Sequence, residues 1–253
     1  ASGGGVAAEP ENYQVNLPSS DTATIKKAAS SITINDAEWP GTKTYGDPDF
    51  PLTGVTTVGD GAVTKTSDSA NVLTVDADGR ATIHGAGTAT VTISVASGTN
   101  YTAGNNSRPI TVQKGSISLN LKAGKKTGLM QRLRAALGNV KDTYVLTLEA
   151  KGAYQDVLTG TVIFYENGQP LNQTPIPLTN GTASMEYSGP SAGTHEISAD
   201  YALPADGAEQ QNYNKPALVS CSFEVGKVDE DQIQIKEVDG KLYGDDPFKL
   251  ELT

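Results

Sequence analysis

The amino-acid sequence predicts an all-β chain of tandem antiparallel β-sandwich domains, and three observations predict it. Apolar and polar residues alternate with a period of two. Ala89, Val91, Ile93 and Val95 interleave with Thr88, Thr90, Thr92 and Ser94, and Tyr144, Leu146, Leu148 and Ala150 interleave with Val145, Thr147 and Glu149. A strand with one buried and one wet face has this pattern. Asp78-Gly79, Asn167-Gly168 and Asn180-Gly181 supply the positive φ angles that tight hairpins need. The chain also repeats itself, which sets its domain boundaries.

The repeat has two phases. Asn12-Tyr13, Asn100-Tyr101 and Asn212-Tyr213 are each followed by a strand and a Lys: Ile25-Lys26-Lys27, Val112-Gln113-Lys114 and Val225-Gly226-Lys227. After each Lys comes the start of a new strand, as in Ser31-Ile32-Thr33-Ile34 and Ile117-Ser118-Leu119. The tyrosines lie about 100 residues apart, the size of a small sandwich. In the other phase Thr44-Tyr45-Gly46-Asp47 recurs as Leu242-Tyr243-Gly244-Asp245. Residues 1–29 are therefore expected to be the last strands of one module, 30–114 and 115–227 two complete modules of different type, and 228–253 the first strands of another. With no initiator Met and no leader, the chain is expected to be a processed or excised piece.

Composition narrows the function. Of the 253 residues, 27 are Gly and 13 are Pro, and 19% are charged, which suits many short strands joined by turns. A net charge of −10 argues against a nucleic-acid partner, which needs clustered Lys and Arg. No run of about 18 apolar residues is present to insert in a membrane. The single Cys221 leaves no internal disulfide, so the modules must hold by packing; it shares a strand face with Val219, Phe223 and Val225 and is read as core.

Ser67 to Ile93, with its central Val72-Leu73-Thr74-Val75-Asp76-Ala77-Asp78-Gly79-Arg80-Ala81-Thr82-Ile83, resembles the bacterial immunoglobulin-like group 2 domains of intimin- and invasin-like surface proteins. With its Tyr-Gly-Asp head, 30–114 also resembles repeats of the MBG or YDG type. Gly160 to Gly168, Thr179 to Ala183 and Ala192 to Tyr201 are similar to a group 3/5-like immunoglobulin repeat. The resemblance implies immunoglobulin-like sandwiches in an extracellular protein, at the bacterial cell surface or secreted. Such families share no catalytic residues, so no enzyme activity is expected.

One stretch departs from a plain module. From 122 to 141 the chain carries Lys122, Lys125, Lys126, Arg132, Arg134 and Lys141 and no acid. Leu129, Met130, Leu133, Ala136 and Leu137 recur there at helical spacing, with Thr127 to cap the start and Gly138 to end it. A short inserted helix is expected, plugging the sandwich with its apolar face and leaving the basic residues solvated. The sharper reading makes those six residues a docking site for an anionic partner such as a cell-wall polymer or acidic glycan.

Other candidates are weaker. Asp76-Ala77-Asp78-Gly79 opens like a calcium loop but lacks the later ligands, so a plain hairpin turn is favoured. Asp229, Glu230 and Asp231 lie in a linker, where solvation is the default. His84 and His195 are expected in strands of different modules, with no nucleophile motif beside them. No metal ligand set and no cofactor motif is read. Trp39, the only Trp, is expected to cover a core edge or a domain junction. The leading function is thus a non-catalytic stalk or spacer whose partners are neighbouring modules. The alternatives are an adhesin-like module that binds host protein or carbohydrate, and an accessory region of a secreted glycan-degrading enzyme.

Overall fold

The computed structural model describes residues 25–127, 142–154 and 156–226. The tail 1–24, the segment 228–253, the expected helix at 129–137, and Arg132, Arg134 and Lys141 lie outside the described residues. Two sandwiches follow one another. Domain 1 holds β2 (Ser31–Ile34), β3 (Thr42–Thr44), β4 (Phe50–Pro51), β5 (Val55–Val58), β6 (Val63–Ser67), β7 (Leu73–Val75), β8 (Arg80–Ile83), β9 (Gly87–Val95), β10 (Tyr101–Thr102) and β11 (Gly104–Gln113), with the short β1 (Ala28–Ala29) ahead of it. Domain 2 holds β12 (Ser118–Lys125), β13 (Thr143–Lys151), β14 (Thr161–Glu166), β15 (Gln169–Pro170), β16 (Ile176–Pro177), β17 (Thr182–Ser188), β18 (Gly193–Ala202), a helix α1 (Ala208–Asn212) and β19 (Val219–Val225).

The two domains share their main connections. The first strand pairs antiparallel with the next long one, β2 with β5 and β12 with β13. The last long strands make a second sheet, in the orders β6-β9-β11 and β14-β18-β19. Two sheets so connected and packed face to face are an immunoglobulin-like sandwich. In domain 1 the chain leaves β2, turns at Asn35, and rejoins as β3 in parallel with β11. That turn is local chemistry: Asn35 Oδ1 accepts from Ala37 N at 3.1 Å, and Asn35 O accepts from Trp39 N at 3.0 Å. Trp39 packs on the core edge and donates its Nε1–H to Pro109 O at 3.0 Å, the covering role expected of it.

Each sandwich has its own core. Leu73, Ala81, Val91, Ile93 and Ile110 are buried in domain 1, and Leu146, Leu148, Leu158, Phe164, Ile197 and Tyr201 in domain 2. The alternation of β9 and β13 puts their apolar sets inside. Each fully buried Leu, Ile or Phe contributes about 1.5–3 kcal/mol, and no buried side-chain polar atom among the described residues lacks a partner. The three expected turns are present, with Gly79 at φ 82°, Asn167-Gly168 at 49° and 77°, and Asn180-Gly181 at 52° and 72°.

Some expectations need correcting. Lys122 and Lys125 do not belong to a loop insertion, because β12 runs on through Lys125 in register with β13. His84 is not in a strand; it lies just past β8, exposed, with Nε2 2.8 Å from Thr74 Oγ1. Among the described residues the helix is α1, between β18 and β19, which the sequence pattern did not single out.

Candidate functional site

The most elaborate polar and aromatic constellation lies where domain 1 ends and domain 2 begins. Each domain has an N-terminal pole, where the chain comes in, and a C-terminal pole, where it leaves. At the N-terminal pole of domain 2, α1 is held by Glu209, whose carboxylate accepts from Thr159 N at 3.0 Å and Thr159 Oγ1 at 2.8 Å. Tyr213 closes the helix by donating its N–H to Glu209 O. This fixes Asn212 and Tyr213, the repeated pair, against the incoming linker Lys114-Gly115.

The linker is pinned at several points. Gly115 pairs in parallel with Tyr213, donating to Asn212 O at 2.8 Å and accepting from Asn214 N at 3.0 Å. Lys114 Nζ donates to Gln210 O at 2.6 Å. Gly115 has to be small, because a Cβ there would lie 2.7 Å from Tyr45 O. Across the boundary, Asn212 Oδ1 accepts from Ala86 N at 2.9 Å and Gln211 Nε2 donates to Ala86 O at 3.2 Å. Asn212 is 5% exposed, so its amide is a buried polar group satisfied by the other domain.

The Tyr45-Gly46-Asp47 turn of domain 1 fills the remaining space. The Tyr45 ring meets Tyr154 and Tyr213 edge-on, each at 5.2 Å between centroids, a geometry worth about 0.5–1.5 kcal/mol per pair beyond area burial. The Tyr45 and Tyr213 hydroxyls both donate to Asp156 Oδ2, at 3.3 and 2.6 Å. Tyr154 returns the contact by donating to Asp47 O at 3.0 Å. Burial first and the Asp156 carboxylate second push both the Tyr45 and Tyr213 hydroxyls above the usual tyrosine value, so both stay protonated donors. Gly46, at φ 105°, lies where a Cβ would overlap that of Ala153. Only glycine meets both demands.

The expected anion site looks different once built. Lys122 pairs with Glu149 at 3.3 Å, Lys125 with Asp142 at 2.7 Å, and Lys126 with Glu186. These lysines are neutralised by acids on or next to β13 and β17. Asp76 forms a plain turn, its Oδ1 accepting from Asp78 N and Arg80 N at 3.0 and 2.8 Å. Among the described residues no group of three or more His, Cys, Asp or Glu could hold a metal ion. Cys221 is half-buried against the domain 2 core, and burial pushes its thiol up.

A second cluster went unread in the sequence. His195, 7% exposed, directs Nδ1 at Glu166 and Nε2 at Ser191 O, 2.8 Å away. Tyr187 donates to the other Glu166 oxygen at 2.6 Å, and Phe223 stacks on the imidazole. Both ring nitrogens face acceptors, so only the imidazolium satisfies both. Its pKa is raised chiefly by the bond to Glu166, with Ser191 O adding to it. The signal for this cluster was the alternation itself, which places His195 on the inward face with Ile197, Ala199 and Tyr201.

One family model and several solved structures match the chain. Residues 55–99, within domain 1, match the family model described as intimin, immunoglobulin-like domain, and that part of the chain is similar to such domains. Similar folds include two structures of S-layer protein SbsC. The 31–844 fragment is 15% identical with a TM-score of 0.31, covering 83% of this chain and 30% of that one; domains 1–6 are 14% identical with a TM-score of 0.30, covering 83% and 29%. Sidekick-1 immunoglobulin domains 1–5 are 14% identical with a TM-score of 0.32, covering 77% and 38%. The chain therefore spans about 30% of the S-layer protein structures it resembles. No curated protein matches the sequence.

Proposed function

We propose that the chain is a non-catalytic spacer from a bacterial cell-surface protein, a run of immunoglobulin-like modules whose joints are built to transmit orientation. One observation carries this reading: the boundary between the domains is a shared polar and aromatic site and not a free linker. Asn212 is buried and bonded to the other domain, and Tyr45 packs on both cores. Two domains joined only by a flexible tether need no such groups, because relative motion is the default for small interfaces. The intimin-like match over 55–99 supports an extracellular setting. Domain 1 is then a group 2 or MBG-like module and domain 2 a group 3/5-like one.

The rival is an adhesin-like module, with its loops or the basic stretch of Lys122, Lys125, Lys126, Arg132, Arg134 and Lys141 as its contact. Lys122, Lys125 and Lys126 already have acidic partners, which lowers the net positive charge that this part of the stretch offers an anionic ligand. An array of matrix proteins and acidic glycans probed with the intact chain separates the two. The spacer reading expects a blank. Binding that Lys122→Glu with Lys126→Glu abolishes would replace the spacer with an adhesin.

A further inference from the structure

The joint at the N-terminal pole of domain 2 is half-repeated at the N-terminal pole of domain 1. There Ala28 and Ala29 pair in parallel with Tyr101 and Thr102, as Gly115 pairs with Tyr213. Ala28 N donates to Asn100 O at 2.9 Å, where Gly115 N donates to Asn212 O at 2.8 Å. Lys27 Nζ donates to Gly98 O at 2.6 Å, and Lys114 Nζ to Gln210 O at the same distance. In both joints the lysine reaches the carbonyl two residues before the repeated Asn. A carboxylate from the preceding loop braces each pair: Asp60 Oδ2 accepts from Asn100 N at 2.7 Å, and Asp156 Oδ2 accepts from the Tyr213 hydroxyl.

The other half of the joint is what differs. Tyr213 is 1% exposed with the Tyr45 ring against it, whereas Tyr101 is only partly buried. Val58 and Val63, which flank the loop whose Asp60 bonds Asn100, are 48% and 46% exposed. A shallow depression of about 350 Å³, lined by Ala62, Val95, Ala96, Ala103 and Gly104, opens on the same pole. The side the occupant comes from is given by Ile25. Its repeat counterparts Val112 and Val225 close the cores of domains 1 and 2 at 2% and 6% exposure, yet Ile25 is 95% exposed. It has the position of the last core residue of a module ahead of domain 1.

We propose that the N-terminal pole of domain 1 is a docking face for a preceding immunoglobulin-like module, which seats a Tyr-Gly turn against Tyr101 as Tyr45-Gly46 seats against Tyr213. The turn needs an aromatic ring to cover Tyr101 and a glycine after it for close approach of the loops. The tripeptide Tyr243-Gly244-Asp245 shows that this motif recurs along the chain. The inference rests on the spacer reading and extends it: the joint is a standard coupling, used at successive boundaries.

A chimera tests it. A second copy of residues 30–113 replaces residues 1–26, so that its last strand runs into Lys27. Spin-label pairs then report the distance distribution across the new joint and, separately, across the native one. The proposal expects a narrow distribution at the new joint, broadened at least twofold by Tyr101→Ala. Tyr45→Ala in the added copy alone, which leaves domain 1 intact, broadens it equally and leaves the native joint unchanged. A new joint that is broad while the native one is narrow overturns the proposal, as does a narrow one indifferent to both substitutions. Breadth at both joints overturns the spacer reading beneath it, a distinct result.

Discussion

Residue by residue, the strongest commitments are buried polar groups. The His195 imidazolium lies between Glu166 and Ser191 O, and its pKa is raised. Its contribution to stability is complete below the ordinary value of 6.5 and fades as pH rises through the raised one. For Glu166, burial pulls the pKa up, but the bonds from Tyr187 and His195 outweigh it and the net shift is downward. Its contribution is present above the ordinary 4.5 and is lost as pH falls through the lowered value. Tyr187, pushed up to about 12 by burial and by Glu166, stays a donor throughout. Thermal melting of wild type against Glu166→Gln should therefore show the largest gap between about pH 4.5 and 6.5, worth about 2 kcal/mol, narrowing on either side. A gap that does not vary with pH would show that His195 is not charged in the folded state. Sequence could place His195 inward by alternation. It could not find Glu166, because that partner comes from the neighbouring strand β14 across a pairing that only the fold sets.

At the scale of elements, strands and hairpins were legible because their signals are local. Period-two runs such as β9 and β13 and the Asn-Gly turns need only adjacent residues. The short pieces β1, β10 and α1 were not, since each is held by partners far along the chain: Ala28 by Asn100, and α1 by Thr159 and Ala86. The basic stretch misled for a related reason. Read alone, 122–141 has no acid; in the sheet, Lys122 faces Glu149 of β13 and Lys126 faces Glu186 of β17. These pairs are exposed, so Glu186→Gln should cost less than about 1 kcal/mol in chemical denaturation. Gly46→Ala should behave otherwise. The Tyr45 turn lies on the edge of both cores and bridges them, so this change should leave both domains folded while uncoupling them, seen as separate unfolding transitions in calorimetry. A single unchanged transition would mean that the turn does not couple the domains.

For the whole molecule, the sequence foretold a chain of sandwiches and repeated two motifs along it, Asn-Tyr and Tyr-Gly-Asp. What they could not disclose is that the two motifs meet. Tyr45 and Tyr213 lie far apart in sequence and become ring neighbours only because domain 1 ends on the turn that domain 2 begins beneath. Two tyrosines that the sequence offers only as marks of a repeat are thus a contact between modules. Asn212→Ala removes the bond to Ala86 and leaves its buried N–H unpaired, at a cost of about 1–3 kcal/mol, and this should fall on coupling between the domains more than on either core. The most direct test of the rigid joint is a double electron–electron resonance measurement with labels at exposed Asp78→Cys and Gln173→Cys, with Cys221→Ser to remove the native thiol. A rigid joint gives one narrow distance peak that broadens in Asn212→Ala; a broad distribution in the parent protein, unchanged by that substitution, would contradict it.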